Sequence, residues 1–270
     1  MNLTYAIIIP SPAIPFDSVV VVIRANGFVG TETCQKLLKA GYRVRRTVWD
    51  VQYHRAWMHA LFDRKWPGKF ELVRVTDFDA DGAFDEAPGA AGVMYVSTPS
   101  MFNPDPDKAI DPIVKGTINT LEAASRAGVK RYVLSSSSKA VESTVYDQPH
   151  KLTKDTFNHK AISKARSGLP TDASERALTM YSASRTTVEL AFWHWLKTNN
   201  PPFVANCVIP DGIFGHVLDV RYVNIGFTLS LAILKRVLVG SCLISPSYAS
   251  RADPSVALAL TYLVAAAITA

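Results

Sequence analysis

The sequence predicts an α/β protein built on a doubly wound parallel sheet, and three observations predict it. An unbroken β-branched run, Val19-Val20-Val21-Val22-Ile23, has the character of a strand buried on both faces. A glycine-bearing turn, Arg24-Ala25-Asn26-Gly27-Phe28-Val29-Gly30, follows and leads into an amphipathic stretch that stops at Gly41. Strand-like and helix-like segments then alternate along the chain, as right-handed βαβ crossovers require.

In chain order, residues 31–40 form the first predicted helix and residues 42–48 the second strand, which puts the glycine turn at a strand-to-helix junction. Glu71-Leu72-Val73-Arg74-Val75, Gly92-Val93-Met94-Tyr95-Val96 and Arg131-Tyr132-Val133-Leu134 read as further strands. Residues 110–127 make a long helix closed by Gly128. From about 138 to 177 the chain is polar and poor in helix signals, too long for an ordinary connection, and reads as a functional loop or flap. Residues 178–197 form a helix halted by Asn199-Asn200-Pro201-Pro202, and residues 203–209 a last strand before Pro210.

Composition narrows the class. With 270 residues, 48% of them hydrophobic, the chain can bury a full core as one domain, alone or with a small lobe. A net charge of +6 suits an anionic ligand, but the Lys and Arg are scattered without interleaved aromatics, so no nucleic-acid partner is expected. Cys34, Cys207 and Cys242 show neither metal-ligand nor disulfide spacing, and a reducing, cytoplasmic setting follows. The apolar run Tyr5-Ala6-Ile7-Ile8-Ile9 has no basic flank and is broken by Pro10, Pro12 and Pro15, unlike a signal peptide. Residues 256–270 are shorter than the roughly 20 that a bilayer span needs, and residues 225–244 carry Lys235 and Arg236 in mid-run, so no membrane is expected. No metal and no solenoid repeat is predicted.

Three groups of residues carry chemistry. Gly27 and Gly30 stand where a dinucleotide loop needs glycine, for backbone approach to a pyrophosphate and for close helix–strand packing, beside the amide donors of a helix N-terminus. A structural turn is the plainer alternative. Tyr181 and Arg185 lie four residues apart, so on a helix they share a face. A phenol serves as a general acid near neutrality when a fixed positive charge favours its phenolate, although an exposed Tyr/Arg face would read the same. Ser135-Ser136-Ser137-Ser138 directly follows a strand, placing hydroxyls at the carboxyl edge of a parallel sheet, where α/β folds bind ligands. A polar loop is the alternative there.

These stretches together resemble the extended short-chain dehydrogenase/reductases of the NAD-dependent epimerase/dehydratase superfamily, in the branch holding fungal NADPH-dependent aldehyde/ketone reductases and plant dihydroflavonol reductases. Residues 25–30, 42–48, 89–93, 116–121, 129–137 and 180–190 carry the similarity, and Ile209-Pro210-Asp211-Gly212 is similar to that family's proline segment beside the nicotinamide. The resemblance implies a Rossmann domain over 17–210, with the flap at about 138–177, and a partial substrate lobe over 211–270, curtailed because relatives continue beyond Ala270.

The same resemblance implies residue roles. Tyr181 is the acid that protonates the carbonyl oxygen as hydride arrives from the nicotinamide. Ser137 polarises that carbonyl, with Ser136 as the fallback within the run, and Arg185 takes the place of the lysine that binds the nicotinamide ribose. Asn26, Gly27, Phe28, Val29, Gly30, Asp77, Phe78, Ser97, Thr98 and Pro210 line the cofactor, together with Tyr181 and Arg185. Arg45 and Arg46 are placed to meet a 2′-phosphate, where the family's usual arginine is Trp49, whereas Asp50 stands 20 residues past Gly30, the spacing of a ribose-binding acid. NADP(H) is favoured and NAD(H) is the alternative.

Two positions depart from the family. Its first loop glycine is Arg24 here, and its lysine is Arg185, a guanidinium whose planar fork cannot reproduce an ammonium's contacts. The expectation is an NAD(P)H-dependent reductase of an aldehyde or ketone in secondary metabolism, acting on a small-molecule carbonyl as a monomer or homodimer. The alternatives are a catalytically degenerate nucleotide-binding regulator or decayed paralogue, and an epimerase or dehydratase on the same scaffold.

Overall fold

The computed structural model describes residues 12–23, 27–85, 89–96, 103, 105–143, 151–211, 213 and 218. Six parallel strands form one sheet: β1 (Val19–Ile23), β2 (Arg43–Val48), β3 (Phe70–Arg74), β4 (Ala90–Tyr95), β5 (Arg131–Ser135) and β6 (Val204–Val208), in the order β3-β2-β1-β4-β5-β6. The chain winds outward from β1 to β3 through α1 (Phe28–Lys39) and α2 (Val51–Phe62). It then returns to β4 on the other side of β1 and runs to β6 through α3 (Pro106–Arg126), α4 (Ser138–Val141), α5 (His159–Arg166) and α6 (Ala173–Asn199). Strand order reverses between β1 and β4, and a crevice outside the carboxyl ends of the strands is where such a sheet takes its ligand.

Alternation in β1 explains the two layers. Val20 and Val22 enter a core with Leu37, Met58 and Phe62 from α1 and α2. Val21 and Ile23 enter the opposite core with Ile113 and Leu121 of α3 and Val188 and Phe192 of α6. A strand whose successive side chains point to opposite faces must be apolar throughout when both faces are covered. Gly41 and Gly128, at φ 90° and 67°, take the left-handed conformation just beyond α1 and α3, and Asn200 at φ 43° does so after α6. Among the described residues no helix is long and apolar enough to cross a membrane.

The structure departs from the sequence expectations in four places, each because of local capping. Gly27, extended at φ −96° and ψ −176°, caps α1, so the helix begins at Phe28 and Gly30 lies inside its first turn. Helix α2 is absent from the expected elements. It starts where the Asp50 carboxylate accepts the Tyr53 amide at 3.1 Å, and it buries His54, Trp57, Met58 and Phe62 at helical spacing. The stretch expected to be poor in helix holds α4 and α5, whose first turns are capped by Ser137 and Asn158. Helix α6 begins at Ala173, because the Asp172 carboxylate accepts the amides of Ser174 and Glu175. Helix α5 is docked rather than free: Ala161 and Ala165 pack with Ile110 of α3 and with Met180 and Ala183 of α6. Residues 144–150 of that stretch, and the expected lobe over 211–270 apart from Asp211, Ile213 and Leu218, lie outside the described residues.

One packing contact ties the loop after β3 to α3. A Cβ on Gly116 would stand 2.2 Å from Cδ2 of the Phe78 ring and 3.2 Å from the Phe78 carbonyl oxygen. Gly116→Ala gains about 0.5–1 kcal/mol of helix propensity, but overpacking against the ring costs about 1–3 kcal/mol. The net outcome is destabilisation, read as a lower urea midpoint with an unchanged m-value.

Candidate active site

The glycine turn leads straight into α1. No side chain caps this helix and no acidic residue stands in its first turn. Among the described residues a Cβ on Gly27 would meet nothing within 4 Å. The N–H groups of a helix's first turn have no carbonyl of their own to bond, and with the dipole they make an anion site. Phe28, Val29 and Gly30 supply that turn, whose threonine, Thr31, sends Oγ1 to the Gly27 carbonyl at 2.9 Å. Asn26, with Arg24 and Ala25, lies outside the described residues.

At β2 the two basic residues part company, since neighbours on a strand face opposite sides. Arg45 Nε pairs with Glu71 Oε2 at 3.0 Å across the β2–β3 ladder. Arg46 is 0% exposed and turns into the core between α1 and α2. Its Nη2 donates a long bond of 3.4 Å to Thr31 Oγ1, its guanidinium carbon lies 6.0 Å from the Trp57 ring centre, and its Nε and Nη1 are buried without a hydrogen-bond partner among the described residues. Burial pulls this guanidinium down to about 10, still cationic at neutral pH. Trp49, at the end of the strand, is 63% exposed. Asp50 is engaged as the α2 cap described above.

Beyond β3, Asp77 is exposed and Phe78 is half-buried against Gly116, its carbonyl accepting Asn119 Nδ2 at 3.4 Å. The hydrogen bond with Asp77 raises the Asp79 carboxyl above the usual carboxylate range, with burial adding to it. Ser97 and Thr98, past β4, lie outside the described residues.

The serine run is the most densely held part of the cleft. Ser136 N–H donates to the Val208 carbonyl at 2.8 Å and Ser138 N–H to the Pro210 carbonyl at 2.9 Å, so Pro210 lies beside this turn. The Ser136 hydroxyl donates to Glu189, and the Ser138 hydroxyl donates to Asp211 Oδ1 at 2.9 Å. Ser137 Oγ accepts the Lys139 amide at 3.3 Å as the α4 cap, a contact that leaves its hydroxyl proton uncommitted. Helix α6 holds the same turn from the side. Arg185, 5% exposed, donates from Nη2 to the Ser135 carbonyl, and Thr186 Oγ1 donates to the Ala140 carbonyl at 3.3 Å. Tyr181 is half-buried one helical turn before Arg185.

The fold thus brings Ser137, Arg185 and Pro210 to one end of the crevice, and Gly27 through Gly30 with Arg46 to the other. Sequence reasoning missed Glu189. This buried carboxylate accepts the Ser136 hydroxyl and, at 3.4 Å, the Trp193 indole N–H. The available signal was its place four residues after Arg185, which puts a carboxylate and a guanidinium on one helix face. Burial, with Glu189 next in size, pushes the neighbouring Cys207 thiol far up, so it is protonated and inert. Glu189→Leu is expected to destabilise the protein by about 1–3 kcal/mol by stranding the buried Ser136 hydroxyl. Glu189→Gln, whose amide oxygen still accepts the Ser136 hydroxyl, loses less than half of that in the same urea titration.

Comparison with known proteins follows the geometry. Residues 20–208 match the family described as "NAD dependent epimerase/dehydratase family". The chain is similar to aldehyde reductase 2 of Sporidiobolus salmonicolor, 36% identical over 217 residues, covering 78% of this chain and 62% of that protein. It is also similar to the ketoreductase adrE of Penicillium rubens, 33% identical over 219 residues, covering 79% and 61%. Among solved structures, Gre2 of Candida albicans in complex with NADPH superposes with a TM-score of 0.71 at 26% identity, over 83% of this chain and 66% of that one. The chain spans less than two thirds of the length of these relatives.

Proposed function

The chain belongs to the NAD dependent epimerase/dehydratase family, and within it we propose that this protein is an NADPH-dependent reductase of an aldehyde or ketone. The observation that carries the reading is the docking of α6 on the serine turn. Arg185 reaches the Ser135 carbonyl and Glu189 takes the Ser136 hydroxyl, so the helix bearing Tyr181 and the turn bearing Ser137 form one rigid unit. Relatives whose names state aldehyde reductase and ketoreductase, and a neighbour whose structure holds NADPH, supply the reaction class.

The residues present fit such a cofactor. The uncapped N-terminus of α1 at Gly27 suits a pyrophosphate, and the buried Arg46 guanidinium, short of partners, suits a further phosphate. Phe28, Val29 and Gly30 would hold the pyrophosphate through their amides, and Asn26, next to Gly27 in the sequence, would join them. Asp77 and Phe78 would border the adenine end and Pro210 the nicotinamide end, and Ser97 and Thr98, which follow β4 in the sequence, would line the cofactor. Arg45 would add charge at the phosphate side while staying paired with Glu71. The bound cofactor supplies a hydride to the carbonyl carbon.

The chain's own groups handle the oxygen. The Ser137 hydroxyl, whose proton its cap contact leaves uncommitted, donates a hydrogen bond to the carbonyl oxygen and draws electron density from the carbon. Tyr181 Oη delivers the proton that turns the developing alkoxide into an alcohol. Arg185 stands at the ribose-holding position and brings a fixed positive charge to the Tyr181 face of α6, while one of its N–H groups anchors the serine turn. Ser136 is a support rather than a second polariser, because its hydroxyl is spent on Glu189.

The test is oxidation of NADPH, followed at its nicotinamide absorbance, against a panel of small aldehydes and ketones. Tyr181→Phe is expected to lower kcat roughly 10²- to 10⁴-fold without weakening NADPH binding. Ser137→Ala is expected to lower kcat by roughly 10²-fold, as loss of one oxyanion donor does. Turnover by Tyr181→Phe equal to that of the natural chain would overturn the reading.

A further inference from the structure

We propose that Glu189 is a positioning residue for the reduction: its carboxylate joins the serine turn, α6 and β6, and so sets where the Ser137 hydroxyl stands relative to Tyr181 and to the nicotinamide end of the crevice. The inference rests on the reductase reading above and adds to it a residue outside the motifs read from the sequence. It starts from an acid in a place that costs free energy. Glu189 is 3% exposed, and a buried carboxylate persists where hydrogen bonds and an opposite charge offset its lost hydration.

Three elements meet at this carboxylate. Its Oε2 accepts the Ser136 hydroxyl from the turn after β5, and its Oε1 accepts the Trp193 indole N–H, at 3.4 Å, from the next turn of α6. The Cys207 thiol of β6 lies within hydrogen-bonding reach of both Glu189 and Ser136, and burial keeps it protonated, so it stands as a third donor. Arg185, one turn earlier on α6 and 5% exposed, supplies the opposite charge, and the fields of both residues reach Cys207. Its Nη2 is committed to the Ser135 carbonyl. Guanidinium and carboxylate thus hold consecutive residues, Ser135 by its backbone and Ser136 by its side chain.

Each element at the junction carries one part of the proposed reaction. The turn carries Ser137, α6 carries Tyr181 two turns before Glu189, and β6 leads into Pro210. The turn is bonded to the β6 segment on both sides of Ser137, through the amides of Ser136 and Ser138. Ser137 Oγ itself accepts the Lys139 amide at 3.3 Å, a contact that gives its own proton no direction. The aim of that hydroxyl therefore follows from its neighbours. Without Glu189 the Ser136 side chain is released and the turn can shift, and a misplacement of about 1 Å at a reacting group costs roughly 10²-fold in rate. The effect falls on the chemical step, because the proposed cofactor contacts lie on other segments of the crevice.

The full chain is assayed for NADPH-dependent carbonyl reduction, with kcat expressed per NADPH-binding chain as counted by calorimetric titration. Glu189→Leu should lower kcat roughly 10- to 100-fold, with KM for the carbonyl and Kd for NADPH moving less than about 3-fold. Glu189→Gln, which still accepts the Ser136 hydroxyl, should keep kcat within about 3-fold of the natural chain. Ser136→Ala should match Glu189→Leu, and the double variant should be no slower than either alone, since both changes remove one contact. Ser136→Ala decides the matter if Glu189→Leu does not fold. A lower urea midpoint with unchanged kcat would make the contact structural only and overturn the inference. A loss in Ser136→Ala that Glu189→Leu does not share would make Ser136 the polariser and overturn it too, as would a loss of NADPH affinity equal to the loss of kcat. These outcomes leave the reductase reading standing, whereas a natural chain without NADPH-dependent turnover overturns both.

Discussion

Arg185 and Glu189 lie one turn apart on α6 and hold consecutive residues at the end of β5, the first through the Ser135 carbonyl and the second through the Ser136 hydroxyl. The proposed catalytic end of the cleft depends on this grip. A strand end with free backbone groups would leave the serine turn to water. Here the Ser135 carbonyl, the amides and hydroxyls of Ser136 and Ser138, and Ser137 Oγ each have a protein partner, from α6, from β6 and the segment after it, or from the α4 cap. Buried polar networks of this kind are costly when broken and rigid when complete, which suits a hydroxyl that must meet a substrate oxygen in one place. The two carboxyl-edge anchors of the turn, Val208 and Pro210, extend the grip to the opposite neighbour of β5.

The proposed cofactor end holds more buried donors without partners. Around Arg46 and His54 the chain leaves donors unanswered in a dry place, a condition that buried groups normally avoid. Both ends hold buried donors without a partner among the described residues, Arg185 Nε at the serine turn and the Arg46 and His54 nitrogens at the other, but the serine turn is tied to α6 by two bonds where chemistry is proposed. The apolar sheet between them keeps the two regions in register, since β1 is buried on both faces and both layers of helices pack against it.

Much of this fold was legible in the chain. The all-apolar β1 and the closing glycines at 41 and 128 are short-range signals, and each strand foreseen is present within two residues. The helices that escaped notice, α2, α4 and α5, begin at single capping side chains, Asp50, Ser137 and Asn158. Such caps are hard to tell from loop polarity, because the same residues favour turns. The early start of α6 did leave a trace in Asp172-Ala173-Ser174-Glu175, an acidic cap with a glutamate three residues on, of the kind that opens many helices.

The candidate site divides along the same line. The sequence alone determined that a glycine turn sits between a buried strand and a helix, that Tyr181 and Arg185 share a helix face, and that serines stand at a strand end, because these are matters of local order and period. Only the tertiary structure decided which serine hydroxyl is spent and which keeps its proton, since that depends on Glu189, 53 residues away. It likewise decided that Arg45 answers to Glu71 across the ladder while Arg46 goes into the dry core beside His54. Two adjacent arginines look alike in a chain, and the pleat of β2 within a covered sheet gives them opposite surroundings.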